Sequence, residues 1–230
     1  MRFPILAAVS CFLATLVQCS PTPNHKTLVS LRIEGEDKTI FEGVVLTKGH
    51  DITTALGGTH HCDGTNNGAS TTPGPTPNAA LDDAAKLHDF AFDGAFFPEF
   101  DDFLISSIGG EANTDTQFWT TLVNFQFIPV GGCQQKVQLG DEILYAFDGF
   151  SKAHILKLSG PVVARKNHPV VFTVTDGSTG APVAGASVDG QISGVDGKVS
   201  VTFAKTGLNG VKAQKDDSVR SNQVDVVVVA

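Results

Sequence analysis

The sequence predicts a mainly β fold, with an α+β N-terminal part followed by a small β-sandwich. Three observations lead to this prediction. The chain is rich in valine and threonine and has 24 glycines but only 8% aromatic residues, a composition that favours strands and turns. Polar and apolar residues alternate in several short stretches. Beyond residue 160, short strand-like stretches recur between Asp-Gly and Asn-Gly turn signals, which is typical of a sandwich.

The composition changes at residues 159–161, Ser-Gly-Pro, and we place the boundary between two predicted domains there. Residues 20–160 contain the only Trp and the only Tyr of the chain, together with most of its phenylalanines. Residues 161–230 contain neither Trp nor Tyr, and valine, glycine, aspartate, serine and threonine dominate. We therefore expect one domain at residues 20–160 and a second at residues 161–230.

Residues 1–19 are predicted to be a secretory signal peptide. Arg2 precedes an apolar run over residues 3–17, and Cys19 is a small residue before the expected cut. The run is shorter than the roughly 20 apolar residues that a membrane helix needs. No later segment of the sequence is long and apolar enough to be a transmembrane segment. We expect a soluble protein that is secreted or extracellular, and association with the cell wall stays open.

The charge balance limits the classes of partner. The chain has 24 Asp and Glu against 16 Lys and Arg, a formal net charge of −8, and the basic residues form no stripe. Nucleic acids and anionic membranes need a concentrated positive surface. We therefore expect neither as a partner, and we expect an extracellular ligand or a cell-wall component instead.

The first predicted elements form a hairpin. Residues 27–34 alternate between apolar and polar side chains, as a half-buried strand does, and residues 39–46 follow after a Gly-Glu-Asp-Lys turn. Residues 50–56 are predicted to form a short helix or turn. Residues 57–78 are predicted to form a long loop, because Gly, Asn, Ser, Thr and Pro dominate them.

A helix and further strands follow the loop. Residues 79–87 have helical spacing of Leu and Ala, and Asn78 is the expected N-cap. Residues 118–124 and 142–147 are predicted strands, led by the unique Trp119 and containing the unique Tyr145. An open aromatic cleft at these two residues would indicate ligand binding, whereas their burial would favour a structural role.

Residues 119–145 resemble a domain of the soluble-ligand-binding β-grasp group, which is also found at the C-terminus of transcobalamin. The resemblance rests on a strand from Trp119 to Asn124, on Val-Gln-Leu-Gly-Asp at residues 137–141, and on Ile-Leu-Tyr at residues 143–145. It would cover residues 27–158 and implies a β-grasp-like domain that binds a ligand. The family usually has Gly after the Asn, and this chain has Phe125.

Residues 162–229 resemble bacterial-type immunoglobulin-like or transthyretin-like modules of surface proteins. The resemblance rests on Val-Thr-Asp-Gly-Ser-Thr-Gly-Ala-Pro-Val-Ala-Gly-Ala-Ser-Val at residues 174–188 and on Gly-Val-Asp-Gly-Lys at residues 194–198. It implies an immunoglobulin-like sandwich that acts as a spacer or an adhesion scaffold.

Cys62 and Cys133 are the two cysteines outside the signal segment, and in an exported chain they are expected to form one disulfide. The bond would tie the loop at residues 57–78 to the body of the domain. His60, His61 and Asp63 flank Cys62 and are the candidate ligand-binding residues. His and Cys side chains suit zinc or copper, but adjacent histidines rarely aim at one ion, so we expect an exposed disulfide loop and no metal.

The sequence contains no Gly-X-Ser-X-Gly, no His-Glu-X-X-His and no phosphate-binding glycine-rich loop. We therefore expect a protein that is not an enzyme, has no catalytic residues and needs no cofactor. The leading hypothesis is an exported binding protein that recognises a small ligand, a glycan or a surface partner. The alternatives are a structural scaffold of the cell wall or matrix and a secreted effector.

Overall fold

The computed structural model describes residues 24–230, so the predicted signal peptide at residues 1–19 lies outside the described residues. Within this part of the chain most regular structure is strand, and the prediction of a mainly β fold is confirmed. No helix among residues 24–230 has the length and apolar character needed to cross a membrane.

Ten strands and the helix α1 lie between Thr27 and Phe147. In chain order they are β1 (Thr27–Glu34), β2 (Thr39–Thr47), β3 (His50–Thr54), β4 (Gly58–Cys62), α1 (Pro77–His88), β5 (Phe92–Phe97), β6 (Asp102–Ile108), β7 (Glu111–Ala112), β8 (Trp119–Val123), β9 (Gln126–Phe127) and β10 (Glu142–Phe147).

Five of these strands form one mixed sheet in the order β2-β1-β10-β8-β9, called here the N-terminal sheet. β1 and β2 form the predicted antiparallel hairpin. β1 and β10 run parallel at the centre of the sheet, with Leu31 opposite Ile143, and β8 runs antiparallel to β10. Parallel neighbours require a long crossover connection, and here the crossover contains α1.

One face of the N-terminal sheet packs against α1. Because side chains alternate along a strand, β1 directs Val29, Leu31 and Ile33 to this face, where they meet Leu81 of the helix. Tyr145 is fully buried in the same core. Trp119 is also buried, with 7% of its surface exposed, so the two unique aromatic residues form no open cleft.

Helix α1 starts earlier than the sequence predicts. The side chain of Thr76, rather than Asn78, is the N-cap, and its hydroxyl accepts a hydrogen bond from the Ala79 amide at 3.2 Å. Pro77 follows at the first helical position, where its missing amide hydrogen costs nothing. Asn78 is instead buried beneath the helix start and bonds to other side chains.

The predicted helix or turn at residues 50–56 is wrong, because residues 50–54 form strand β3. β3 pairs with β4 as an antiparallel hairpin, and His50 lies opposite Cys62. Ile52 and Thr54 alternate into the core, where the Thr54 hydroxyl donates to the Gly94 carbonyl at 2.7 Å. The predicted loop at residues 57–78 accordingly contains β4 at its start and the first turn of α1 at its end.

A disulfide joins Cys62 at the end of β4 to Cys133, as predicted. The backbone around it is tied in the same way, because the Gly64 amide donates to the Cys133 carbonyl at 2.9 Å. The Val137 amide donates to the Pro75 carbonyl at 2.9 Å. The irregular chain after β4 is therefore anchored at both ends to residues 133–137.

Ten further strands and one short 3-10 helix, Gly149–Ser151, follow. The strands are β11 (His154–Ser159), β12 (Val163–Arg165), β13 (Pro169–Asp176), β14 (Ser187–Val188), β15 (Gln191–Ile192), β16 (Lys198–Thr202), β17 (Gly207–Val211), β18 (Ala213–Gln214), β19 (Ser218–Val219) and β20 (Val224–Val229).

These strands form three small sheets around a second core. The sheet orders are β16-β13-β11-β19, β12-β20-β17 and β15-β14-β18. Phe172, Val174 and Val226 lie at the centre of the core and are fully buried. β11 pairs with β13 and β19, so this strand belongs to the C-terminal sheets although it precedes residue 160. The predicted domain limits at residues 20–160 and 161–230 stay a prediction.

The two parts of the chain meet on the other face of the N-terminal sheet. Leu122, Leu144 and Ala146 of that face pack with Ile155 and Val219. A further residue of this cluster is Phe125, which follows β8. The junction between the parts is therefore an apolar contact between the N-terminal sheet and strands β11 and β19.

Candidate ligand-binding groove

A groove of about 910 Å³ lies between the N-terminal sheet and the C-terminal strands. One wall is the turn that joins β1 to β2, at residues 34–37. The opposite wall is formed by residues 214–220, which include β19. The lining is completed by Phe147, Lys152, Gly185, Ser187 and Ile192.

Glu34 connects the two walls. Its carboxylate accepts hydrogen bonds from Lys212 Nζ at 2.5 Å and from Arg220 Nε at 2.8 Å. The hydroxyl of Thr39 donates to the same carboxylate. Only 1% of the Glu34 side chain is exposed. A buried carboxylate requires such partners, because an unpaired charge in the interior is strongly unfavourable.

Arg220 also positions the wall formed by the β1–β2 turn. Its guanidinium donates to the Glu36 carbonyl at 2.9 Å and to the Gly35 carbonyl. On the other side of the turn, the Glu36 amide donates to Glu111 Oε1 at 2.7 Å. Because the turn is held from two sides, this wall of the groove is fixed by contacts within the protein.

The groove also carries charges that are not neutralised. Among residues 24–230, the side chains of Glu36, Asp37 and Asp216 form no ion pair, and neither does Lys152. All three acids are exposed. The groove therefore offers three free carboxylates and one free ammonium, a lining that suits a hydrophilic molecule able to donate hydrogen bonds.

The predicted binding residues lie outside the groove lining. His60 stacks on Phe96 with the ring centroids 3.6 Å apart and the ring planes at 5°. His61 is the next residue of the same strand, and successive side chains of a strand point to opposite faces. The two histidines therefore do not converge on one ion.

His61 lies between two carboxylates. Its Nδ1 is 3.3 Å from Asp63 Oδ1 and its Nε2 is 3.0 Å from Asp101 Oδ1. Burial alone would raise the pKa of Asp63, but hydrogen bonds from Thr65 and His61 outweigh it and lower this pKa. The arrangement links the start of the irregular segment to Asp101. A ligand-binding role for His60, His61 and Asp63 stays a prediction.

A buried network of hydrogen bonds runs beside the disulfide. The Tyr145 hydroxyl donates to Asn78 Oδ1 at 2.5 Å, and Asn78 Nδ2 donates to Asp102 Oδ1 at 3.3 Å. The Cys133 amide donates to the same Asp102 oxygen at 2.7 Å. Burial raises the pKa of Asp102 to about 6, although the backbone amides oppose this rise. This hydrogen-bond network supports the fold around the disulfide and does not reach the groove.

The groove could not be found from sequence patterns. Its walls come from two charged turns, residues 35–38 and 215–217, of which the sequence predicts only the first as a turn. Their proximity depends on the pairing of Glu34 with Arg220, which are separated by 186 positions. Charged turns are common on protein surfaces, so neither turn indicates a site before the fold is known.

No family model matches the chain, and no curated protein matches it. The solved structures to which the chain is similar include a crystal structure of haptocorrin in complex with Cbi. The TM-score is 0.34 and the sequence identity is 14%, over 54% of this chain and 26% of the haptocorrin chain. The matched region thus spans about a quarter of haptocorrin, and a likeness at this level supports no conclusion about ligand or activity.

Proposed function

We propose that this chain is an exported, non-enzymatic binding protein whose small hydrophilic ligand occupies the groove between the two β parts. The observation that carries the proposal is the groove itself, with a volume of about 910 Å³ and a wall fixed by Arg220. Small-molecule sites usually measure about 300–1,000 Å³ and are largely formed before the ligand binds. A lining of free carboxylates, an ammonium and a hydroxyl favours a sugar or an amine over an apolar molecule.

The lining also supports a binding role over a catalytic one. It contains no histidine and no cysteine. The Ser218 hydroxyl donates to Asp217 Oδ1 at 2.8 Å, so one lining serine has a carboxylate within reach. Hydrogen bonds from Lys215 and Ser218 lower the pKa of Asp217, however, which makes this carboxylate a weak base for activating the hydroxyl.

The sheet topology supports the finer fold assignments. In the N-terminal sheet a hairpin, a crossover helix and a parallel central pair follow one another, the arrangement expected of a β-grasp-like domain. The C-terminal sheets enclose a valine-rich core, as an immunoglobulin-like sandwich does. We assign the two parts to these fold groups as part of the same proposal.

A thermal-shift screen tests the binding function. The panel contains neutral oligosaccharides, amino sugars, polyamines and amino acids, and a ligand of the groove raises the melting temperature of the protein. The increase should disappear in the double variant Asp216→Asn, Lys152→Ala. It should persist in Asp115→Asn, which removes one exposed acid outside the groove. An equal loss in the control variant, or no shift with any compound, contradicts the proposal.

A structural scaffold is the second candidate, and the burial of Trp119 and Tyr145 favours it. These residues then contribute only to the core, and the Glu34 network serves to fix the two parts to one another. Retention of the protein on insoluble cell-wall polysaccharide, without a thermal shift by any small compound, would support the scaffold and contradict the small-ligand function.

A further inference from the structure

A second group of side chains, remote from the groove lining, lies where the β3–β4 hairpin meets α1. His50 begins β3, and Asp82 and Asp83 are neighbours in the middle of α1. One ligand atom from each of these three residues lies within 4.8 Å of the other two. In residues 24–230 this is the one group of three metal-capable side chains that comes so close together.

The distances approach those of a coordinated ion. His50 Nε2 is 2.7 Å from Asp82 Oδ2 and 3.9 Å from Asp83 Oδ1. Ligand bonds of about 2.0–2.2 Å at a tetrahedral Zn²⁺ place neighbouring ligand atoms about 3.4 Å apart. Small side-chain rotations would lengthen the distance from His50 Nε2 to Asp82 Oδ2 and shorten the distance to Asp83 Oδ1. Both distances would then match the spacing of ligand atoms around one ion.

The imidazole is already oriented as a ligand. His50 Nδ1 is 2.8 Å from the Lys48 carbonyl, to which it donates, and this contact directs Nε2 towards the carboxylates. Metal-bound histidines commonly donate their second ring N–H to a carbonyl or carboxylate in this way. Asp82 is buried, since only 4% of its side chain is exposed.

Lys86 marks the position that a cation would take. Its Nζ is 2.6 Å from Asp82 Oδ2, and 64% of its side chain is exposed. One divalent ion can replace both Asp82 partners: Nε2 of His50 releases its proton to solvent water when it binds the ion, and the Lys86 ammonium gives up its contact. Lys86 can then move into solvent, and the two carboxylates neutralise the ion, so no charge remains unpaired in this half-buried place.

From this arrangement we infer that His50, Asp82 and Asp83 form a site for a divalent transition-metal ion of the Zn²⁺ class, completed by water. Imidazole nitrogen with carboxylate oxygen suits Zn²⁺, whereas Mg²⁺ and Ca²⁺ favour oxygen ligands alone. The site departs from the expectation that the chain holds no metal. The ion would join α1 to the β3–β4 hairpin, which carries Cys62. This inference does not depend on the proposed function of the groove.

Isothermal titration calorimetry of the whole protein with ZnCl₂, MgCl₂ and CaCl₂ tests this site. We expect one Zn²⁺ per chain and no comparable heat with the other two ions. Asp83→Asn should weaken Zn²⁺ binding at least about tenfold, since a direct ligand is lost. Lys86→Met should tighten binding several-fold, because it removes the competing ammonium, and a gain of affinity cannot come from misfolding.

His61→Gln is the matched control, because His61 also lies between two carboxylates but outside this group. Its Zn²⁺ affinity should equal that of the wild type. The inference is overturned if the wild type gives no heat beyond dilution, or if His61→Gln abolishes binding while Asp83→Asn retains it. Unchanged melting temperatures of the metal-free variants verify that each one is folded.

Discussion

Glu34 and Arg220, which are 186 positions apart, form an ion pair with 2.8 Å between Oε2 and Nε, and its carboxylate is buried. The pair joins the first strand of the N-terminal sheet to the segment after β19. Lys212 contacts the other oxygen of Glu34 and also Glu42. The relative position of the two walls of the groove therefore depends on this one carboxylate.

Glu34→Gln should lower the free energy of unfolding by about 3 kcal/mol, because Arg220 loses its carboxylate partner and Lys212 keeps only Glu42. Urea denaturation followed by fluorescence of Trp119 measures the change. Glu142→Gln is the control, since Glu142 is exposed on neighbouring strand β10 and forms no ion pair with any of residues 24–230. This substitution should cost less than about 0.5 kcal/mol. Equal effects of the two substitutions would contradict the role assigned to Glu34.

Replacing both Cys62 and Cys133 by alanine should lower the free energy of unfolding by about 4 kcal/mol in the chain-entropy estimate. The bond closes a sequence separation of 71 residues, so its loss increases the freedom of the unfolded chain. Because Cys62 ends β4, loss of the bond should also allow this hairpin to open locally, so hydrogen exchange should quicken most in β3 and β4 and least in β13. Uniform acceleration over the whole chain would instead indicate that the disulfide acts only through the unfolded chain.

Stability should rise as the pH falls through the pKa of Asp102, which is about 6. The folded pKa lies above the ordinary value, so the folded protein binds the proton more tightly than the unfolded chain does. Between pH 7.5 and pH 5 this group should add about 1 kcal/mol to the free energy of unfolding. Other acids have lowered pKa values and act in the opposite direction, which makes a difference measurement necessary.

Asp102→Asn provides this difference. Subtracting the pH profile of the variant from that of the wild type should isolate an increase in wild-type stability towards pH 5. Parallel profiles for the two proteins would show that Asp102 is already ionised at its ordinary pKa when folded.

Phe125→Gly should lower the free energy of unfolding by about 2 kcal/mol. Phe125 has a φ of 63°, a conformation that costs an L-residue about 1–2 kcal/mol and that glycine adopts freely. Its ring is nevertheless 6% exposed and packs in the junction, and losing such a ring costs about 3–5 kcal/mol. The packing loss therefore exceeds the relief of strain.

Asp189→Gly is the matched control for this substitution, because Asp189 has a φ of 48° but is exposed. It should raise the free energy of unfolding by up to about 1 kcal/mol, because glycine relieves the left-handed conformation and no buried ring is lost. A stability gain in Phe125→Gly would show that the ring contributes little to the junction.

The sequence predicted the parts of the fold that depend on local patterns. Alternation identified the hairpin of β1 and β2, and the count of cysteines led to the Cys62–Cys133 bond. Phe125 lies at a left-handed backbone position of the kind that glycine adopts freely, and its ring packs in the junction between the two parts.

The features that the sequence did not predict depend on contacts between distant residues. β3 is a strand because β4 pairs with it and because Thr54 finds a buried carbonyl at Gly94, neither of which residues 50–56 reveal by themselves. The groove was missed for the same reason, since its walls are brought together by Glu34 and Arg220. The prediction of His60 and His61 as binding residues rests on their side-chain chemistry alone. As successive residues of β4 they point to opposite faces of the hairpin.

The binding site is located most directly by recording backbone amide chemical shifts during titration with a compound found by the thermal-shift screen. If the ligand occupies the groove, the largest shifts should cluster at residues 34–37 and 214–220, the two walls of the groove. Shifts that cluster at residues 60–63 and leave both walls unchanged would contradict binding in the groove, and would place the binding site at the disulfide-linked hairpin instead.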